Sequence, residues 1–312
     1  MSDGEKKVYR SPGKLLISGE YFVLDGALAL AVPTRLGQRM SVRAQADRPG
    51  TLHWRSFDDE DGCWFEARYA LPDLEVIQTT DAAVGQRLQS VFKAISVRQP
   101  EFWRSQPALQ ITTRLEFPRL WGLGTSSTLL VNLAQWSQTD PFYLLRETFT
   151  GSGYDIACGL ARRPILYQIQ EGARPQFVQL PYRPPFAGQL YFIYLEIKQD
   201  SRAGIARYRE HVRQPAGWAD RLSAVALGMI QARDLKEFEN CMSEHEQLIA
   251  QTLQLEPVQR RHFPDYWGQI KSLGAWGGDF IMAASDRSPQ ETRKYFNEKG
   301  FSVVLPYDEL LV

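Results

Sequence analysis

The chain is short of most features that would mark a metalloprotein or a nucleic-acid binder. It holds three cysteines, Cys63, Cys158 and Cys241, and four histidines among 312 residues. No two cysteines form a C-x-x-C pair, which argues against a zinc site. So sparse and odd a count fits a reducing compartment rather than a disulfide scaffold. Neither sign of charge is in excess, with 36 Lys plus Arg against 36 Asp plus Glu. That balance argues against a general polyanion-binding surface and leaves room only for a local basic pocket. Long apolar runs are missing too, and none approaches the ~20 residues that span a bilayer. The first residues, MSDGEKKVYR, are charged and carry no apolar signal region. These absences set the expectation of a soluble cytoplasmic protein. Two nucleotide signatures are also absent. The sequence has no G-x-x-x-x-G-K-[ST] and no G-x-G-x-x-G opening a βαβ unit.

What is present is enough for a full core. Hydrophobic residues make up 44% and charged residues 23%, so a folded chain of one large domain or two ordinary ones is expected. Alternation predicts strands at 38–46 and 108–116, and a hairpin from 52–57 to 63–69 turning on the acidic run 58–62. Helical spacing of Val84, Leu88, Val91, Phe92 and Ile95 predicts a helix over 82–97. Leu129, Leu130, Leu133 and Trp136 predict another. Three prolines and a glycine in LPYRPPFAG mark a break, and a boundary is placed near residue 186. An apolar strand at 190–195 and two amphipathic helices follow. One of these helices carries Trp218, Leu222, Val225, Met229 and Ile230, the other Leu235, Phe238, Met242, His245 and Ile249. Strands at 279–284 and 301–305 close the chain around a helix at 289–298. Strands and helices interleave without regular βαβα alternation, which predicts an α+β fold.

The segment PRLWGLGTSS, residues 118–127, joins a predicted strand to a predicted helix. Gly122 and Gly124 permit a tight turn with exposed N–H groups. Thr125, Ser126, Ser127 and Thr128 add hydroxyls at the start of a helix. Such a constellation binds anions, most often phosphate. The bland alternative is a plain strand–turn–helix with a serine cap. Ser126 is a candidate magnesium ligand, as a P-loop hydroxyl is.

Three further segments bear residues suited to chemistry. In SPGKLLISGEY, Lys14 follows Pro-Gly at a predicted strand start, where it could neutralise phosphate charge or merely be a solvated lysine. In GSGYD, Asp155 could act as general base toward a substrate hydroxyl, or could cap the helix that follows; spacing leaves both open. In SLGAWGGDF, the glycines permit close approach of backbone to a ligand, or form a simple turn before a buried strand.

In this order the four segments resemble the GHMP kinase superfamily, which includes galactokinase, homoserine kinase, mevalonate kinase and phosphomevalonate kinase. SPGKLLISGEY is similar to the Pro-Gly-Lys … Gly-Glu motif, and PRLWGLGTSS to the ATP-phosphate motif P-x-x-x-G-L-G-S-S. GSGYD is similar to the segment bearing the catalytic aspartate, and SLGAWGGD to the C-terminal glycine motif. The resemblance spans residues 11 to about 284. Gly19-Glu20-Tyr21 and the Gly-Gly-Asp ending at Asp279 are closest to the phosphomevalonate kinase type.

The resemblance implies a two-domain GHMP kinase fold, with a ribosomal-S5-like N-terminal domain (1–186) and a ferredoxin-like C-terminal domain (187–312). It implies ATP and Mg2+ as cofactors and a small molecule, mevalonate or phosphomevalonate, as partner, with no nucleic acid or membrane; a homodimer stays open. Asp155 and Lys14 match the catalytic pair. Gly122, Leu123, Gly124, Thr125, Ser126 and Ser127 match the phosphate loop. Lys14, Glu20, Tyr21, Ser152, Gly274, Ala275 and Gly277 match substrate-side positions. Ser126 and, allowing a deletion, Glu147 match metal ligands. Phosphomevalonate kinase is the first expectation and mevalonate kinase the second. Diphosphomevalonate decarboxylase and a catalytically silent binding protein are the remaining alternatives. Extra cations for a phosphorylated acceptor could come from Arg119, Lys198 or Arg202, though surface charge is the simpler account of each. Two residues depart from the pattern. Trp276 stands where the family usually has glycine, and Trp121 where it usually has a small residue.

Overall fold

A computed structural model describes residues 6–45, 49–170, 175–197, 201–211, 217–274, 276 and 278–312. The chain divides into two compact units. Met1–Gly13, Leu36–Arg119 and Leu123–Leu160 form the first; Lys14–Arg35, Leu120–Gly122 and Ala161–Val312 form the second.

Strand β1 (Lys7–Ser18) begins in the first unit and β2 (Ala29–Ala44) ends there. β3 (Thr51–Phe57), β4 (Cys63–Ala70), β5 (Val76–Thr79) and β6 (Leu109–Leu115) complete its sheet, in the order β5-β4-β3-β6-β2. The expected hairpin is β3–β4. Its turn is held by Asp58, whose Oδ1 accepts from the N–H groups of Glu60 (3.1 Å) and Gly62 (2.7 Å). β6 lies parallel to β3. The inward sets Leu52, Trp54, Phe65, Tyr69, Leu109 and Ile111 are buried, as period-two alternation requires. Helix α1 (Ala82–Arg98) starts where Asp81 accepts from Val84 N, and it buries Leu88, Val91, Phe92 and Ile95. Phe92 meets Trp54, Tyr69 and Trp103 at ring separations of 5.7, 5.2 and 5.0 Å. Three more helices follow: α2 (Thr125–Ser137), α3 (Pro141–Thr148) and α4 (Tyr154–Ala161).

One expectation is corrected here. Lys14 does not start a strand; it lies inside the twelve residues of β1. Pro12 lacks an N–H, but β1 pairs with β2 alone among the described residues, so the missing donor is tolerated. Gly37 of β2 allows the close crossing. A Cβ there would lie 2.3 Å from Ser11 O and 2.9 Å from Pro12 Cα.

In the second unit, β7 (Ile165–Gln168) pairs with Ala29–Ala31 of β2 and with β8 (Gln176–Gln179). A separate antiparallel sheet contains β9 (Leu190–Tyr194). Helices α5 (Ser201–His211), α6 (Trp218–Gln231), α7 (Leu235–Leu253) and α8 (Val258–His262) come next. β10 (Ile270–Ser272), β11 (Phe280–Ala284), α9 (Pro289–Glu298), β12 (Val304–Pro306) and α10 (Tyr307–Leu310) close the chain. The separate sheet runs β10-β11-β9-β12. β9 and β11 are buried along their whole length, which is why both read as continuous apolar runs. Tyr191, Ile193, Ile281 and Ala283 pack with Phe263 and Phe296. The strand expected from Asp279 starts one residue later, because Asp279 has a left-handed backbone (φ 47) that a strand excludes. No helix among the described residues is long and apolar enough to cross a membrane.

Candidate active site

The glycine loop delivers what its sequence promises. Gly122 and Gly124 have φ of 66 and 98, values that residues with a side chain rarely adopt. Gly124 is the N-cap of α2 and contributes no side-chain cap bond. The first-turn N–H groups therefore keep their capacity for an external acceptor. Leu123 is fully buried and anchors the loop. The hydroxyls divide into two pairs. Ser127 Oγ donates to Gly124 O at 3.0 Å, and Thr128 Oγ1 donates to Gln38 Oε1 at 3.1 Å. Ser126 is exposed and Thr125 half-buried, so these two remain accessible.

The residues just before Gly124 are held by the second unit's own elements. Lys14 Nζ donates to Gly122 O at 2.9 Å. Tyr194 Oη donates to Leu120 O at 3.3 Å. Trp121, the first unusual residue, lies edge-on to Phe280 at 5.4 Å and beside Tyr194 at 6.1 Å. The Asp279 carboxylate fills the space beside Gly122, where a Cβ would lie 2.3 Å from Asp279 Oδ2.

Asp155 is the second residue of α4 and is half-buried; its Oδ1 accepts from Ile156 N at 3.0 Å. Gly151 and Gly153, with φ of 147 and 86, swing the chain through Ser152 into that helix. Glu147, on α3, is exposed and lies 3.5 Å from the Arg146 guanidinium. Arg119 lies over the Trp64 ring at 4.8 Å.

The substrate-side candidates of the second unit meet a buried polar network. Glu20 is wholly buried, with Lys271 Nζ at 2.5 Å from Oε1 and His245 Nε2 at 2.7 Å from Oε2. Burial alone would raise the Glu20 carboxyl. The Lys271 ammonium and His245 outweigh it and hold the group at about 2. Burial, with the Lys271 charge, keeps His245 below its ordinary value and so neutral. Next to it on α7, Glu246 Oε1 accepts from Ser272 N (3.1 Å) and from Trp276 Nε1 (2.9 Å). Burial pushes Glu246 up to about 7, against the Lys271 charge and the Trp276 bond. Tyr21 has a left-handed backbone (φ 59) and is buried; its Oη accepts from Trp276 N at 3.1 Å and its ring stacks on Tyr208 at 5.6 Å. The second unusual tryptophan is thus tied into the protein at both backbone and indole. Gly274 turns the chain with φ 67. Ala275, Gly277 and Lys198 lie outside the described residues, as does the side chain of Arg202.

The geometry therefore joins Lys14 to the loop at Gly122, and Tyr21 to the glycine turn at Trp276. It seats Glu20 inside rather than at a surface. Sequence reasoning missed Lys271 and Glu246, and it named Asp279 only as the end of the Gly-Gly-Asp motif, with no role at the site. A lysine in the otherwise apolar approach to the glycine turn, and an acid on the buried face of α7, were the available signals. Among the described residues no three His, Cys, Asp or Glu side chains gather as a metal-binding group.

No protein-family model and no curated protein matches the sequence. Solved structures do match the fold. A Streptococcus pneumoniae phosphomevalonate kinase in complex with phosphomevalonate and AMPPNP is 17% identical with a TM-score of 0.70, covering 94% of this chain and 96% of its own. Methanococcus jannaschii mevalonate kinase is 13% identical with a TM-score of 0.69, covering 97% and 98%. A D-glycero-D-manno-heptose 1-phosphate kinase from Bacteroides thetaiotaomicron is 15% identical with a TM-score of 0.66, covering 98% and 96%. The chain has the two-domain, mixed helix-and-sheet fold of the GHMP kinases.

Proposed function

We propose that this chain is an ATP-dependent small-molecule kinase of the GHMP type that transfers the γ-phosphoryl group to phosphomevalonate, at an oxygen of its phosphate group, with ADP as the leaving group. Mevalonate is the second choice of acceptor. The observation that carries the reading is the uncapped N-terminus of α2 behind two left-handed glycines, with Lys14 bonded to the same loop. Support comes also from the fold, shared with a phosphomevalonate kinase whose structure holds AMPPNP and with a mevalonate kinase.

In this reading the backbone of Gly122, Leu123, Gly124, Thr125, Ser126 and Ser127 binds the ATP phosphates. A helix N-terminus stabilises charge there without a Walker lysine. Lys14, whose Nζ bonds the Gly122 carbonyl at 2.9 Å, stabilises the charge that develops on transfer. Asp155 orients the acceptor oxygen and takes the proton that oxygen carries, a phosphate proton in phosphomevalonate or a hydroxyl proton in mevalonate, using the carboxylate oxygen not engaged by Ile156 N. By the resemblance of their segments, Ser152, Tyr21, Gly274, Ala275 and Gly277 are assigned to the acceptor. Glu20 acts from inside, by fixing Lys271 and His245. The division at residue 186 into an ATP-binding part and a part completing the acceptor side belongs to the same proposal.

Magnesium fits the residues present as an ion carried in by the nucleotide. Mg2+ keeps several waters and takes few protein ligands alongside phosphate oxygens. The exposed Ser126 hydroxyl and the exposed Glu147 carboxylate would supply those ligands. When bound, the ion neutralises charge on the phosphates.

The test is ADP release measured in parallel with phosphomevalonate, mevalonate, homoserine, galactose and a heptose phosphate, with carbon dioxide monitored. Turnover with phosphomevalonate alone supports the reading. Turnover confined to another acceptor moves the assignment to it. Carbon dioxide release identifies a decarboxylase. No turnover with MgATP bound favours a silent binding protein.

A further inference from the structure

Asp279 has a geometry that phosphate binding by the loop does not by itself explain. It ends the glycine turn before β11 with φ 47, a conformation costly for a residue with a side chain. Backbone bonds impose it. Asp279 N donates to Ile197 O at 2.8 Å, and Asp279 O accepts from Leu195 N at 2.8 Å. The clamped backbone brings the carboxylate to Gly122, where an added Cβ would lie 2.3 Å from Oδ2 and 2.7 Å from Cγ. Lys14 Nζ bonds the carbonyl of that same glycine at 2.9 Å. One residue of the loop thus has an acid against its α-carbon and a cation on its carbonyl oxygen. Its neighbour Trp121 is packed edge-on against Phe280, the residue after Asp279.

We propose that Asp279 is a positioning residue for the phosphate loop, fixing Gly122 in its left-handed conformation and so setting the direction of the N–H groups that follow. This rests on reading Gly122–Ser127 as the ATP-phosphate cradle. By charge alone, a carboxylate beside a phosphate site weakens anion binding. A positioning role has the opposite sign, because a mis-set loop loses several N–H contacts at once. The sign of the effect therefore separates the two.

The experiment is calorimetric titration with MgAMPPNP of the wild type, Asp279→Asn, Asp279→Ala, Gly122→Ala and the double variant Gly122→Ala/Asp279→Ala, with melting temperature as a check on folding. Asp279→Ala should weaken binding roughly 10-fold, the scale of a lost orienting contact, and the near-isosteric Asp279→Asn should weaken it less. Gly122→Ala should cost about 5-fold less affinity in the Asp279→Ala background than in the wild type, because the clash is gone and the two sites are coupled. Tighter or unchanged binding in Asp279→Ala, or equal costs of Gly122→Ala in both backgrounds, overturns the positioning role. If Asp279→Ala does not fold, Asp279→Ser, whose side chain is too short to keep the contact at Gly122, decides by the same sign. Failure of the wild type itself to bind MgAMPPNP overturns the phosphate reading, and this proposal with it.

Discussion

Trp276 donates its indole Nε1–H to Glu246 Oε1 across 2.9 Å of fully buried interior. The same oxygen receives the backbone N–H of Ser272, so one acid holds two points of the glycine turn. Glu246→Ala should leave both donors buried without an acceptor, at about 1–3 kcal/mol for each. Glu246→Gln keeps a carbonyl oxygen at that place and should lose much less. Urea denaturation of the three proteins checks this; equal losses in both variants would show that the oxygen is not the anchor.

The raised Glu246 group ties the stability of the fold to pH. Its folded value is about 7 against an ordinary 4.5. Between those values the unfolded chain releases the proton while the folded chain keeps it, so stability falls as pH rises. Below 4.5 the contribution is fully present; above about 7 it is gone. The stability of the wild type relative to Glu246→Gln should therefore fall between pH 4.5 and 7 and level off above. His245, held neutral, loses stability in the other direction, as pH falls below its ordinary 6.5. It is common to both proteins and cancels in their difference. A flat difference across the window would place Glu246 among ordinary carboxylates.

Glu20 and Lys271 are both fully buried and stand 251 residues apart in the chain. Removing one partner of such a pair costs roughly 3–5 kcal/mol, because the other charge is left uncompensated. Lys271→Met and Glu20→Gln should each approach that cost. The double variant should be less destabilised than the sum of the two. With Glu20 held at about 2, its contribution is present above 4.5 and lost as pH falls toward 2. Acid unfolding of the wild type against the double variant reads this directly, and additive losses would count against the pair.

These contacts mark where sequence reading stops. The strands β3, β4 and β6 and the helices α1, α2, α6, α7 and α9 follow from local periodicity. The placing of the glycine loop between β6 and α2 was equally visible. The pairing of Glu20 with Lys271, or of Glu246 with Trp276, leaves no trace in local spacing, since each partner alone is an ordinary charged or aromatic residue. Trp276 looked like a bulky intruder in a glycine motif; its indole is instead a donor to the interior. The course of β1 through Pro12 was hidden for a related reason. It depends on Gly37, in a different strand, having no side chain.

Asp155 gives the sharpest functional prediction. Its Oδ1 is used by the first turn of α4, which fixes the half-buried side chain. Asp155→Asn keeps an oxygen for Ile156 N, so the fold and the phosphate loop should be untouched. It removes the proton acceptor, a loss of roughly 10²- to 10⁴-fold in kcat for general-base catalysis. The dissociation constant for MgAMPPNP should stay within about 2-fold of the wild type, since uniform binding is not what the base supplies. Single-turnover kinetics together with calorimetry separate the two quantities. A fall in nucleotide affinity matching the fall in rate would assign Asp155 to the nucleotide rather than to the acceptor oxygen.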